Sequence, residues 1–140
     1  MKFANSLAIL FLTTFISGCG APPVAKLYDG PVKPDADVAV VKAVPNGPIN
    51  AQFLMIRSTA DVRLLGRFDR GPTRYPVELK LDPGSYYIAL RCENGFVFAK
   101  PYIEVTLARG STYYLSCFDT GPNEQQSRAA VLKIETHAVK

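Results

Sequence analysis

A chain of 140 residues that is 48% hydrophobic and 20% charged holds enough apolar surface for one modest domain and is too apolar to stay disordered throughout. Eleven prolines, ten glycines, seven tyrosines and eight phenylalanines argue against an all-helical bundle and for short strands joined by turns. The formal charge of +4, sixteen Lys or Arg against twelve Asp or Glu, is too even for counterion-driven binding, so no nucleic-acid partner is expected.

The first element is a short apolar run, Leu7-Ala8-Ile9-Leu10-Phe11-Leu12-Thr13-Thr14-Phe15-Ile16, preceded by Lys2 and followed by the small residues Ser17 and Gly18 and then Cys19. A positive start, a brief apolar core and small residues at its end form the layout of a secretory signal peptide. The run stops short of the roughly twenty apolar residues that a spanning helix needs. Ile16-Ser17-Gly18-Cys19 resembles the lipobox of bacterial lipoproteins in position, spacing and residue type. The resemblance implies diacylglycerol on the Cys19 thiol, removal of residues 1–18, and Cys19 as the acylated mature N-terminus, attached to the membrane through its lipid. Several acyl chains anchor durably where a single one binds marginally. In such lipoproteins an aspartate after the cysteine favours the inner membrane, so Gly20 implies the outer membrane, with the domain facing the periplasm. An ordinary secreted protein that keeps a free thiol is the competing reading. Loss of Lys2 takes the formal balance from +4 to +3, a weak excess suited to solubility or to loose attraction toward anionic polymers.

Residues 19–36 comprise Cys19 and a tether, GAPPVAKLYDGPVKPDA, whose four prolines block helix and sheet bonding. Extended chain of this kind would hold the domain a few nanometres from the membrane at most, at about 3.1 Å per residue. Leu27 and Tyr28 are candidates for docking on the domain.

Residues 37–140 read as the domain. Val38, Val40 and Val44 share one face with Lys42, and Ala39, Val41 and Ala43 share the other, so the first strand is expected to be buried on both sides. Pro45-Asn46-Gly47-Pro48 marks a turn, with Gln52–Arg57 as the returning strand. A loop region surrounds residues 66–72. Val77, Leu79 and Leu81 alternate inward against Glu78 and Lys80 before the turn Asp82-Pro83-Gly84. Tyr86, Ile88, Leu90 and Cys92 then form a core face, opposite Ser85, Tyr87, Ala89 and Arg91. After Glu93-Asn94-Gly95, residues 101–107 place Ile103, Val105 and Leu107 inward. Ala108-Arg109-Gly110 reads as a hairpin turn into residues 111–118. In the last strand Ala130, Leu132, Ile134 and Thr136 alternate against Ala129, Val131, Lys133, Glu135 and His137, the second set being the polar side. Seven or eight strands at about ten-residue spacing predict an all-β fold, a compact antiparallel sandwich.

Leu27-Tyr28-Asp29-Gly30-Pro31 with Pro34 and Asp37-Val38-Ala39, then Leu81-Asp82-Pro83-Gly84-Ser85-Tyr86-Tyr87-Ile88, then residues 110–115 resemble small bacterial lipoproteins with a compact PEGA-like or transthyretin-like β domain. That resemblance implies a fold and an envelope address, but no reaction.

With Cys19 set apart, Cys92 and Cys117 remain as an even pair in an oxidising compartment, and a disulfide is the default reading. The loop it would close stabilises by about 3 kcal/mol on the chain-entropy account. Two separate buried thiols, or a metal or redox site, are the alternatives, although no CxxC or neighbouring His supports the latter. His137 is the only histidine, and it lies on the polar side of a terminal strand. No catalytic residues, metal ligands or cofactor are assigned, and the chain is expected not to be an enzyme. Two groups of binding candidates stand out. Arg57, Arg63, Arg67, Arg70 and Arg74 hold five of the eight arginines against only Asp61 and Asp69, a pattern that fits either docking onto an anionic surface or a solvated loop with local pairs. Tyr87, Tyr102 and Tyr114, with Phe118, fall opposite the core residues of their strands, where they form either a binding platform or ordinary cross-strand packing. Expected is a non-enzymatic structural, adaptor or protein-binding module with an envelope protein as partner. The alternative is an inhibitor or binder of an envelope enzyme or anionic polymer acting through residues 57–74. The oligomeric state is left open.

Overall fold

The computed structural model describes residues 23–69, 75–95, 98–119 and 127–136. They form two packed β-sheets built from ten strands: β1 (Val24–Lys26), β2 (Ala39–Ala43), β3 (Asn50–Ser58), β4 (Leu64–Arg67), β5 (Glu78–Leu81), β6 (Gly84–Glu93), β7 (Phe98–Ala99), β8 (Tyr102–Leu107), β9 (Ser111–Asp119) and β10 (Ser127–Thr136). The back sheet runs β1-β5-β2-β9-β10, and the front sheet runs β4-β3-β6, with β7 and β8 in turn along the far edge of β6. The fold is the all-β sandwich that the alternating pattern predicts. Its back sheet is mixed rather than purely antiparallel, because β1 runs parallel to β5 and β2 parallel to β9. No helix among the described residues is long and apolar enough to cross a membrane.

Alternation places Phe53, Ile56, Leu79, Leu81, Ile88, Leu90, Leu107 and Leu115 fully out of solvent between the sheets. Each such side chain contributes about 1.5–3 kcal/mol by leaving water. Cys92 on β6 and Cys117 on β9 form a disulfide, with Cα atoms 5.7 Å apart, that ties the front sheet to the back sheet.

Two turns do something other than expected. The segment 45–48 does not return the chain beside β2, because β3 pairs with β4 and β6 in the other sheet. Ala108-Arg109-Gly110 likewise passes the chain from β8 in front to β9 behind. Turn residues specify a reversal, while the sheet that receives the chain is decided by burial of the next apolar face. At the second corner Gly110, at φ 66°, donates its N–H to Val38 O at 2.8 Å, a conformation that a side chain would disfavour. Residue 66 is not in a loop either, since β4 continues through it. A Cβ on Gly66 would lie 2.9 Å from the Phe68 ring and 3.2 Å from Leu27, so glycine lets both close the side of the sandwich.

The last strand also differs from its pattern. A bulge between Val131 and Lys133 sets Val131 opposite Leu115 and Lys133 opposite Tyr114, which switches faces along β10. Ala129 and Val131, opposite Cys117 and Leu115 ahead of the bulge, pack on the core, while Leu132 and Ile134 are 53% and 55% exposed on this edge strand. Val77, expected inward, precedes β5 and is exposed.

The Pro-rich stretch expected to hang free as a tether is, from Pro23 onward, laid against the back sheet. Val24, Ala25 and Lys26 pair with Glu78, Leu79 and Lys80, and Leu27 N–H donates to Lys80 O at 2.9 Å. Tyr28, 8% exposed, covers the outer face of Val38 and Val40, which is why β2 is buried on both sides. Its hydroxyl accepts from Lys33 N–H at 3.0 Å, and the ammonium groups of Lys26 and Lys33 lie 4.7 and 4.8 Å from its ring centre. Acids and bases then meet across the strap: Lys33 with Asp82 at 2.5 Å, Lys80 with Asp35 at 2.6 Å, and Arg109 with Asp37. Proline keeps residues out of a regular ladder, but it does not keep the residues between prolines from docking.

Candidate functional site

The outer face of the front sheet is built by three local devices. On β6, Tyr87 and Ala89 alternate outward against the buried Ile88 and Leu90. On β8, Tyr102 and Glu104 point outward against Ile103 and Val105. On β3, a bulge between Phe53 and Met55 shifts the alternation, so Met55 and Arg57 face outward while Phe53 and Ile56 are both buried. Cross-strand register then sets Met55, Ala89 and Tyr102 in one row and Arg57, Tyr87 and Glu104 in the next.

These rows and Lys100 enclose an open groove of about 450 Å³ lined by Met55, Arg57, Tyr87, Ala89, Lys100 and Tyr102. Tyr87 and Tyr102 meet edge to face, with ring centres 6.3 Å apart and planes at 74°. They remain 38% and 72% exposed, so the pair leaves aromatic surface open to a partner. The Nε of Arg57 is buried and has no hydrogen-bond partner. A buried donor left unpaired costs about 1–3 kcal/mol, and native structures rarely keep one without a reason. The groove thus combines two rings, a thioether, a methyl group and two cations, a set suited to holding a ligand by ring contact and charge.

The described members of the Arg-rich segment do not form one patch. Arg57 lies in the groove, whereas Arg63 sits at the β3–β4 tip between Asp61 at 3.6 Å and Asp29 at 4.0 Å. Hydrogen bonds from Ser58 and the Arg63 backbone hold the Asp61 carboxyl below its ordinary pKa. Arg67 shares the outward face with Met55 across β3, but its guanidinium forks onto Asp69 at 2.6 and 3.0 Å. Arg70 and Arg74 lie outside the described residues, as do Cys19 and His137.

The tyrosine set also divides. Tyr87 and Tyr102 meet in the groove, while Tyr114 lies on β9 in the back sheet. The Tyr114 hydroxyl donates to Glu135 at 2.8 Å, which raises its pKa above the ordinary value, and Lys133 lies over its ring. Phe118 is covered in the same way by Arg128. Those back-sheet rings are engaged in cross-strand contacts.

Sequence reasoning passed over Met55, Ala89 and Lys100. A strict alternation through β3 puts Met55 on the wrong face, and nothing in the residues announces the bulge. Lys100 precedes Pro101 at the break between β7 and β8, and a proline inside an apolar run was the available signal for that break. Among the described residues no group of three or more His, Cys, Asp or Glu is placed to hold a metal ion. No family model, no curated protein and no solved structure matches the chain.

Proposed function

We propose that this chain is a non-enzymatic, lipid-anchored protein of the bacterial outer membrane whose domain binds an envelope partner through the outer face of the front sheet. The observation that carries the binding reading is the groove, where exposed tyrosines surround an arginine with an unpaired buried Nε. It is favoured over a contact through the rest of residues 57–74, because Arg63 and Arg67 already have acidic neighbours whereas Arg57 of that segment lies in the groove. Support for the anchor comes from Ile16-Ser17-Gly18-Cys19, and support for an oxidising compartment from the Cys92–Cys117 bridge.

The strap changes the geometry of anchoring. With the chain docked from Pro23, only the steps from Cys19 to Pro23 separate lipid from domain, a reach of at most about 14 Å from the extended-chain limit. A domain held that close presents its partner site within the layer immediately beneath the membrane.

The test is a photoreactive phenylalanine analogue placed at Tyr102 or at Arg63 in the full chain in cells. Ultraviolet light is expected to trap an envelope component at position 102 and not at position 63. Trapping only at 63, or at neither, contradicts the reading.

A further inference from the structure

Building on the reading of this face as the contact face, we propose that the groove ligand is a carboxylated sugar, its carboxylate on Arg57 and its ring against Tyr102 and Tyr87. Three features of the groove select that chemistry. First, β3 and β6, which carry Met55, Arg57, Tyr87 and Ala89, are each paired on both sides, so a ligand seated on this face meets side chains rather than an open strand edge. Recognition falls to side chains, which disfavours an extended peptide.

Second, the open ring of Tyr102, set edge to face against Tyr87, offers a flat apolar wall beside polar hydroxyls. That combination suits a saturated ring with C–H groups on one face and hydroxyls at its rim. Met55 and Ala89 supply the apolar floor between the tyrosines and Arg57. The volume of about 450 Å³ lies within the range of small-molecule sites.

Third, the Arg57 guanidinium has an unpaired buried Nε, and a small swing toward the groove gives its planar fork a carboxylate to hold. Lys100 adds a second cation on the lining. Glu104, opposite Tyr87 on β8, places one negative charge beside the groove. A singly charged carboxylate fits two cations next to that acid better than a doubly charged phosphate does.

The measurement is a titration of isotope-labelled mature protein in detergent micelles, followed by amide and methyl NMR. Four probes are compared: N-acetylglucosaminyl-N-acetylmuramic acid, its neutral counterpart N,N′-diacetylchitobiose, glucose 1-phosphate, and an acidic hexapeptide. Expected are saturable shifts at Met55, Tyr87, Ala89 and Tyr102 with the charged disaccharide. Affinity for the neutral disaccharide is expected to be lower by about tenfold, the loss of one charge-assisted hydrogen bond. Arg57→Gln and Tyr102→Ala should each weaken the charged disaccharide by about tenfold, with Arg57→Lys in between because it keeps the charge without the fork. Unchanged signals of the core residues Val41 and Leu115 establish that a variant is folded; if Arg57→Gln is not, Arg57→Lys and the neutral disaccharide carry the test.

Equal affinity for the two disaccharides, tighter binding of the sugar phosphate or the peptide, shifts elsewhere, or no shifts would overturn the proposal. If it is overturned while photocrosslinking at Tyr102 succeeds, the ligand class is wrong and the contact face stands. If both fail, the contact face is wrong as well.

Discussion

Replacing Cys92 and Cys117 together by alanine is expected to lower the unfolding free energy by about 3.5 kcal/mol, from the entropy of the loop they close. The bridge joins residues 25 apart in sequence, yet those residues belong to opposite sheets. It therefore restricts the unfolded chain and, in the folded state, fastens the C-terminal end of β6 to the C-terminal end of β9 across the core. Both cysteines are buried, so reduction of the folded protein requires opening the sandwich. For a domain of this size the loss corresponds to a fall in melting temperature of about 15–25 °C. Thermal unfolding of the double variant, against wild type without reductant, measures it. Equal melting temperatures would show that packing between the sheets alone holds them together.

Tyr28→Ala has the second largest expected effect, about 3 kcal/mol, the usual cost of deleting a buried aromatic ring. The ring is the lid over Val38 and Val40, so its loss exposes two apolar side chains and leaves Lys26 and Lys33 without the surface they flank. The strap should loosen along its length because β1 supplies only three residues of pairing. The predicted signature is a fall in stability to urea together with fast hydrogen exchange at the Leu27 amide, which in the intact protein bonds to Lys80 O. Loss of stability with unchanged exchange at Leu27 would mean that strand pairing and the ion pairs hold the strap without the ring.

The strands with plain alternation were legible from the residues. Leu79 and Leu81, the face of Tyr86, Ile88, Leu90 and Cys92, and the inward placing of Val105 and Leu107 all follow from period two, and the two inward cysteines meet as a disulfide. What escaped was non-local or irregular. Bulges at Phe53/Met55 and Val131/Lys133 reverse the faces that strict alternation assigns, and no side chain in either stretch marks the extra residue. The corners at residues 45–48 and 108–110 carry ordinary turn chemistry, so the change of sheet is invisible until the core is assembled. Val24-Ala25-Lys26 becomes a strand only because the edge of β5 is available to it. The same limits apply to the groove. Tyr87 and Tyr102 could be placed outward from their strands, but their approach to each other and to Arg57 depends on the β3–β6–β8 register. The cluster of arginines was conspicuous in composition, yet neighbouring aspartates engage two of its described members.

Hydroxyl-radical footprinting of the lipidated protein in intact cells, against the purified protein, tests most directly that the tyrosine-lined face is the contact face. Tyr102, Tyr87 and Met55 are intrinsically reactive side chains on that face, and Val62 and Leu64 beside Arg63 report the β3–β4 tip. Oxidation of Tyr102, Tyr87 and Met55 is expected to fall in cells while Val62 and Leu64 keep their rates. Protection of Val62 and Leu64 with full oxidation of Tyr102 would contradict it.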